Sequence, residues 1–341
     1  MTGGRSAERF KPVVLESEAV RLVAVPALGA RVVSLGDRRT GREWLVPGQG
    51  PADRRAAAAW AAPQAVFGGD IASGWDECLP SVAPADDPTG LAARLRDHGD
   101  AWGRPARVTV DGASLTAVSD GVHWPYAFTR RLAVVDDSVD IDYEIENRAV
   151  RDLPFLWSMH PLLNVPEGSQ IYLPGIDEVA VSHAAGLRLR RPADALRLAS
   201  AADLVRLPSD GLAWPVAEVA DGPFALDRTL GPDAGIALKL YAQAPHGGRA
   251  AAETPDGEWL GFAWDPGAIP FVGVWLDYGG WPERAPVNQV AIEPTTAPAD
   301  DLPGAMRVGR AVALPAGGRF EWSVRLRLGV GAALLEAFLR G

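Results

Sequence analysis

Cysteine is almost missing: Cys78 is the only one in 341 residues. A single thiol excludes an internal disulfide and any multi-cysteine zinc or iron–sulfur site. Lysine is nearly as scarce, with Lys11 and Lys239 alone among 33 lysines and arginines. The fixed positive charge is therefore arginine, which disfavours Schiff-base chemistry and suits recognition of oxygen anions. No apolar run approaches the length of a membrane span. Residues 1–12 also lack the apolar segment of a secretory signal. A formal net charge of −10 argues against nucleic acid or an anionic membrane as partner. Glycine-rich phosphate loops, a Gly-x-Ser-x-Gly elbow and zinc-spaced histidines are not found either. These absences leave a soluble, cytoplasmic protein that handles a small molecule without metal or cofactor, and they do not set its oligomeric state.

What is present reads as strand. Short alternating or β-rich segments bounded by turn residues recur at 13–16, 20–26, 30–36, 106–111, 114–119, 126–135 and 138–146. They continue at 153–160, 235–241, 259–264, 270–275, 289–293 and 319–328. Asp111-Gly112 and Asp136-Asp137 sit where hairpin turns belong. Helix is expected only at the alanine-rich 54–62 and at 331–340. The 29 prolines and 37 glycines suit an all-β chain with many connections. No composition break divides the chain, so the expectation is one large antiparallel β-sandwich over 1–341. Residues 46–104 stand out as a long irregular stretch, and such stretches are usually functional or disordered. Trp60, Phe67, Trp75 and Trp102 within it argue for order.

Three residues in that frame could carry proton chemistry. His98, in Asp97-His98-Gly99-Asp100-Ala101-Trp102, has acid, aromatic and cation within a few residues. An isolated loop histidine is more often a turn cap, and a nearby carboxylate and burial would move its pKa in opposite directions. His160 ends an apolar strand just before Pro161, on the face of Leu156 and Ser158 by alternation. A core histidine bonded to a carbonyl is at least as common. Glu293 is expected at the end of a strand, before Pro294, pointing with Ala291 and away from Val290 and Ile292. Most strand-end glutamates are solvated, yet a carboxylate held there can serve as a general base.

Other side chains could bind oxygen. Arg96, Arg104, Arg130 and Arg131 are candidate anion ligands, of which Arg130 and Arg131 should face opposite ways. Asp76 and Glu77, in a glycine-framed loop, could hold hydroxyls or simply cap the loop. Asp277, beside Tyr278 and Trp281, is a further hydroxyl-binding candidate, and Trp157 could present an aromatic floor. His123, His183 and His246 read as ordinary surface or turn residues.

The order of these motifs resembles a family. A histidine in a His-Gly loop, a histidine in His-Pro after an apolar strand, and a late glutamate in Glu-Pro are together similar to the aldose 1-epimerase, or galactose mutarotase-like, superfamily. The early run Leu28-Gly29-Ala30-Arg31-Val32-Val33-Ser34-Leu35 also looks like that family's opening. The resemblance implies a large β-sandwich with a sugar site on one sheet. It implies Glu293 as the base on the anomeric hydroxyl, His160 as the acid on the ring oxygen, and His98 as a group that holds or polarises the same region. Arg104, six residues after His98, is the first guess for the substrate-binding arginine, with Trp102, Asp76, Glu77, Asp277 and Trp157 as further substrate contacts. The galactose enzymes' His-Gly-Gly is His98-Gly99-Asp100 here, and the run 69–80 resembles the phosphorylated-hexose branch only through its glycines and Cys78-Leu79-Pro80. The sugar is thus left open: a hexose or a related, acidic or phosphorylated one. A non-catalytic carbohydrate-binding protein on the same fold is the alternative. A two-carboxylate glycosidase or lyase using Asp76 or Glu77 with Glu293 is a third.

Overall fold

The computed structural model describes residues 10–48, 52–61, 66–68, 71–185, 211–219, 222–282 and 286–341. Residues 1–9, Ala62 at the end of the expected alanine-rich helix, and Gly69 of the 69–80 run lie outside them. The chain is all-β with antiparallel pairing and few helices. It forms two compact units, 1–161 with 299–327 and 162–298 with 328–341.

In the first unit one run of strands has the order Val13–Glu16, Val20–Val25, Arg31–Asp37, Trp75–Cys78 and Ser158–Pro161. A second run joins the first part of Arg319–Val330 to Ser138–Asn147, Tyr126–Val135, Ser114–Asp120 and Arg107–Asp111. Alternation places the core: in Ser138–Asn147, Val139, Ile141, Tyr143, Ile145 and Asn147 are buried while their neighbours are more open. Both expected hairpins form, with Asp111 opposite Ser114 and Val135 opposite Ser138. The core is aromatic: Tyr143 lies 5.2 Å from Trp322 and 4.9 Å from Trp157 between ring centroids.

The second unit orders Asn288–Thr295, Phe271–Tyr278, Ile236–Gln243, Glu178–Ala185 and Leu212–Ala213 in one run. Gln170–Tyr172, Arg249–Glu253 and Glu258–Trp264 form another. The C-terminal helix Ala332–Arg340 seats Leu335 and Phe338 on Trp259 and Ala251. Gly261 makes that seat possible, because a Cβ there would lie 2.4 Å from the Phe338 ring.

Three boundaries differ from the sequence expectation. The expected strand 153–160 is two strands, Leu153–Phe155 and Ser158–Pro161, which pair with different partners. Between them the Leu156 N–H donates to the Pro80 carbonyl, so alternation does not carry from Phe155 through Trp157. Inside the stretch 46–104, Trp75–Cys78 is a fully buried strand. Glu293 is also not a strand end, since Asn288–Thr295 continues through Pro294 and the glutamate is 0% exposed.

Candidate active site

In the first unit the backbone around His98 is held in an unusual shape. His98 has φ of 55° and Gly99 of 72°, the left-handed region that favours glycine. A Cβ on Gly99 would lie 1.9 Å from the Leu79 carbonyl oxygen. The His98 N–H donates to the Val82 carbonyl at 2.6 Å, and the Asp100 N–H to that of Leu79 at 2.7 Å. The loop therefore presents its histidine in one direction.

The side chains complete the cluster. His98 Nδ1 lies 2.7 Å from Asp97 Oδ1, and the other carboxylate oxygen, Oδ2, accepts from the Phe67 N–H at 2.8 Å. Phe67 stacks on the His98 ring with centroids 4.1 Å apart. His160 meets His98 edge-on at 4.8 Å and Phe67 at 5.6 Å. His160 is opposite Asp76 in the strand register. Asp76 in turn takes Arg31 in a two-point pair, Nε to Oδ1 at 3.1 Å and Nη2 to Oδ2 at 2.5 Å. The Arg31 guanidinium lies 5.7 Å from the Phe67 centroid. A carboxylate on Nδ1 fixes the imidazole tautomer and leaves Nε2 to exchange a proton or hydrogen bond.

The structure thus brings His98, His160 and Asp76 together, and corrects several of the other expectations. Glu77 is buried and accepts from Trp75 Nε1, Arg130 Nη1, Tyr143 Oη and Trp157 Nε1 at 2.9–3.0 Å. Burial pushes its carboxyl pKa up, while Arg130, Tyr143 and Trp157 pull it down. It ties the core together instead of holding a ligand. Trp157 and Trp102 are 0% exposed, so neither offers a ring face to a sugar. Trp102 donates from Nε1 to the Asp97 carbonyl and braces the loop from behind. Arg104 points elsewhere, donating to the Asp120 carbonyl with its guanidinium 5.4 Å from the Trp60 centroid. Arg96 lies 4.3 Å over the same Trp60 ring. Asp76 is engaged by Arg31, so its carboxylate is not offered to a hydroxyl. The arginine of this cluster is Arg31. It sits in the early segment that carries the family resemblance, but a single arginine in an alternating strand gave no sign of its partner.

In the second unit a polar face is assembled by strand register. Glu293 is opposite Gly273, Trp275 opposite both Ala291 and Lys239, and Asp277 opposite Gln289. Lys239 Nζ donates to Glu293 Oε2. Half-buried Trp275 lies 6.3 Å from His183 and 6.0 Å from Trp281 between centroids. His183 is therefore in a strand beside an aromatic ring, where the sequence suggested an ordinary surface position. Lys239 was visible only as one of two lysines.

Asp277 also departs from its expected role. It is 0% exposed, and its Oδ1 accepts from the Gly280 and Trp281 N–H groups at 3.0 and 3.1 Å, closing a turn. Among the described residues Oδ2 is buried with no donor, as is Gln289 Oε1 on the neighbouring strand. Burial raises the Asp277 pKa to about 7, against the pull of those two N–H groups.

A model of the aldose 1-epimerase family matches residues 11–191. The chain belongs to the aldose 1-epimerase family. Among solved structures, the Synechocystis sp. PCC 6803 protein Slr1438 superposes with a TM-score of 0.62 at 15% identity, covering 95% of this chain and 97% of its own. A galactose mutarotase related enzyme of Lactobacillus acidophilus gives 0.60 at 16% identity over 94% and 100%. A galactose mutarotase-like protein of Lactobacillus casei ATCC 334 gives 0.58 at 15% over 94% and 100%. At such identity the likeness is one of fold: this aldose 1-epimerase family member has the galactose mutarotase-like β-sandwich fold. No curated protein matches it. The family's kind of function is sugar epimerisation or mutarotation, and it fixes neither substrate nor mechanism. Among the described residues no helix is long and apolar enough to cross a membrane.

Proposed function

We propose that the protein is a mutarotase that interconverts the anomers of a hexose or a related sugar, acidic sugars included, by general acid–base ring opening. Glu293 takes the proton of the anomeric hydroxyl. As the bond between the anomeric carbon and the ring oxygen breaks, its electron pair passes to the ring oxygen, which His160 protonates. His98, tethered by Asp97, polarises the same region. The open aldehyde turns about its C1–C2 bond, and the reverse transfers close the ring on its other face. Each positioned proton transfer contributes on the order of 10²–10⁴ in rate. Arg31, 1% exposed and paired with Asp76, backs the histidines through the Phe67 plate.

The observation that carries the proposal is the pair of imidazoles 4.8 Å apart, one of them held by a carboxylate, in a chain of this family. Anomeric exchange followed by NMR on neutral, acidic and phosphorylated sugars tests it, with Glu293→Gln beside the wild type. The expected result is fast exchange on one sugar class, reduced by at least about 100-fold in the variant while binding persists. Binding without acceleration in the wild type would assign the chain to carbohydrate recognition without turnover.

A further inference from the structure

We propose that Phe67 is a positioning residue for His98: its ring sets the plane of the imidazole, while its backbone N–H holds the carboxylate that tethers Nδ1. The inference rests on the mutarotase reading of His98 and adds a residue that neither the family resemblance nor the sequence motifs assign.

A histidine ring can lose its aim in two ways. It can leave its hydrogen-bond partner, and it can turn about the Cβ–Cγ bond, where the torsional wells of an imidazole are broad. The contact of Nδ1 with Asp97 Oδ1 at 2.7 Å prevents the first and restrains the second at one point only. Phe67 supplies the missing restraint. Its ring lies 4.1 Å from the His98 ring between centroids and within 20° of parallel. A turn of the imidazole out of that plane would drive one of its edges into the phenyl face.

His160 shows which side of the ring the stack leaves open. It lies 4.8 Å from His98 and 5.6 Å from Phe67, nearly perpendicular to both. A ring on the far face of His98 would stand much farther from Phe67, so His160 sits beside the pair, along its edges. One face of His98 is therefore covered, one edge meets the second histidine, and Nδ1 is tied to Asp97. The His98 side chain keeps 15% of its surface exposed against 3% for Phe67, so the phenyl ring supports the imidazole from behind.

The plate is itself braced. Trp102 meets Phe67 edge-on at 5.2 Å, and its indole N–H donates to the Asp97 carbonyl at 2.8 Å. The Phe67 N–H donates to Asp97 Oδ2, also at 2.8 Å. One residue thus acts on the imidazole through its ring and on the tether through its backbone. An aliphatic side chain would keep the backbone bond and present no plane, so the flatness of the residue is what can be tested.

The test makes Phe67→Leu in the wild type and in His98→Asn, with kcat and KM measured by anomeric exchange and folding by urea midpoint. Asparagine is chosen because it tolerates the left-handed φ of 55° at position 98. Phe67→Leu alone should lower kcat by about 10- to 100-fold with little change in KM, the loss expected of a misplaced reacting group. In His98→Asn the same substitution should lower kcat little further, because the group it aims is gone. Wild-type kcat in Phe67→Leu, or equal losses in both backgrounds, would overturn the assignment and leave Phe67 a packing residue. NMR of the wild type gives a second readout that needs no variant to fold. The chain has five histidines, and the carbon-bound ring protons of His98 should lie upfield of their position in the unfolded chain, under the phenyl face. Unshifted His98 protons would overturn the stack. Absence of exchange on every sugar in the wild type would instead overturn the mutarotase reading, with the proton shifts still deciding whether Phe67 holds the ring.

Discussion

Each compact unit holds a buried ion pair beside its candidate catalytic groups, and the two are built differently. In the first unit Arg31 and Asp76 are each 1% exposed and joined at two points, and Arg31 Nη1 also donates to the Ile71 carbonyl at 3.2 Å. In the second, Lys239 meets Glu293 through one ammonium. The arginine pair meets Asp76 at two points and a backbone carbonyl at a third, which suits a fixed support behind the His98 and His160 rings. The lysine pair joins an ammonium, a compact point charge, to one carboxylate oxygen. Burial alone does not separate structural from catalytic charge.

Breaking the support should have the larger effect. Arg31→Met leaves the Asp76 carboxylate buried without its cation, and removal of one partner from a buried pair costs about 3–5 kcal/mol. Urea unfolding should show a loss of that size, and Arg31→Met with Asp76→Leu should recover a good part of it. A loss below about 1 kcal/mol in the single variant would mean that water reaches Asp76 and that the comparison is drawn too sharply.

Asp277 sharpens the comparison in the second unit, because it is a buried acid with no cation beside it among the described residues. Its folded pKa near 7 exceeds the ordinary 3.8. Between these values the unfolded chain has released the proton while the folded chain keeps it. This group's contribution is therefore fully present below about pH 4 and is lost as pH rises through about 7. The linked span is at most about 4 kcal/mol. Asp277→Asn keeps an oxygen for the Gly280 and Trp281 N–H groups and carries no charge to bury. Its stability should fall less than that of the wild type between pH 4 and pH 7, as followed by urea midpoints. Parallel pH curves for the two proteins would refute the assignment of that slope to Asp277.

The sequence made the fold readable because both core faces obey period two. Ser138–Asn147 and Tyr126–Val135 were bounded within a residue by alternation and by Asp136-Asp137 alone. Trp75–Cys78 was not readable, because a short strand buried on both faces, with two acids in it, shows no alternation. His98, His160 and Glu293 were singled out as candidates by unusual flanking residues: aspartate and glycine, proline, proline. Their partners were not. Arg31 and Asp76 are 45 residues apart, and Lys239 and Glu293 are 54 apart, and sequence carries no signal of such pairing. Trp157 shows the converse error. A tryptophan beside a candidate histidine looked like a sugar platform, yet its indole N–H is spent on Glu77 inside the core.

The smallest effect is expected at the tether of His98, and it is the most informative. Asp97 serves two donors with two oxygens, the His98 ring through Oδ1 and the Phe67 N–H through Oδ2. Asp97→Asn keeps the volume but has one acceptor oxygen and an NH₂ group in place of the other. Whichever way the amide turns, an N–H faces either the His98 Nδ1 or the Phe67 N–H, so the imidazole tether or the stacked ring is loosened. A folded protein with kcat reduced by about 10- to 100-fold is the expected result, less than the loss of a proton-transfer group outright. If kcat is that of the wild type, His98 needs no tether and its role passes to His160 alone.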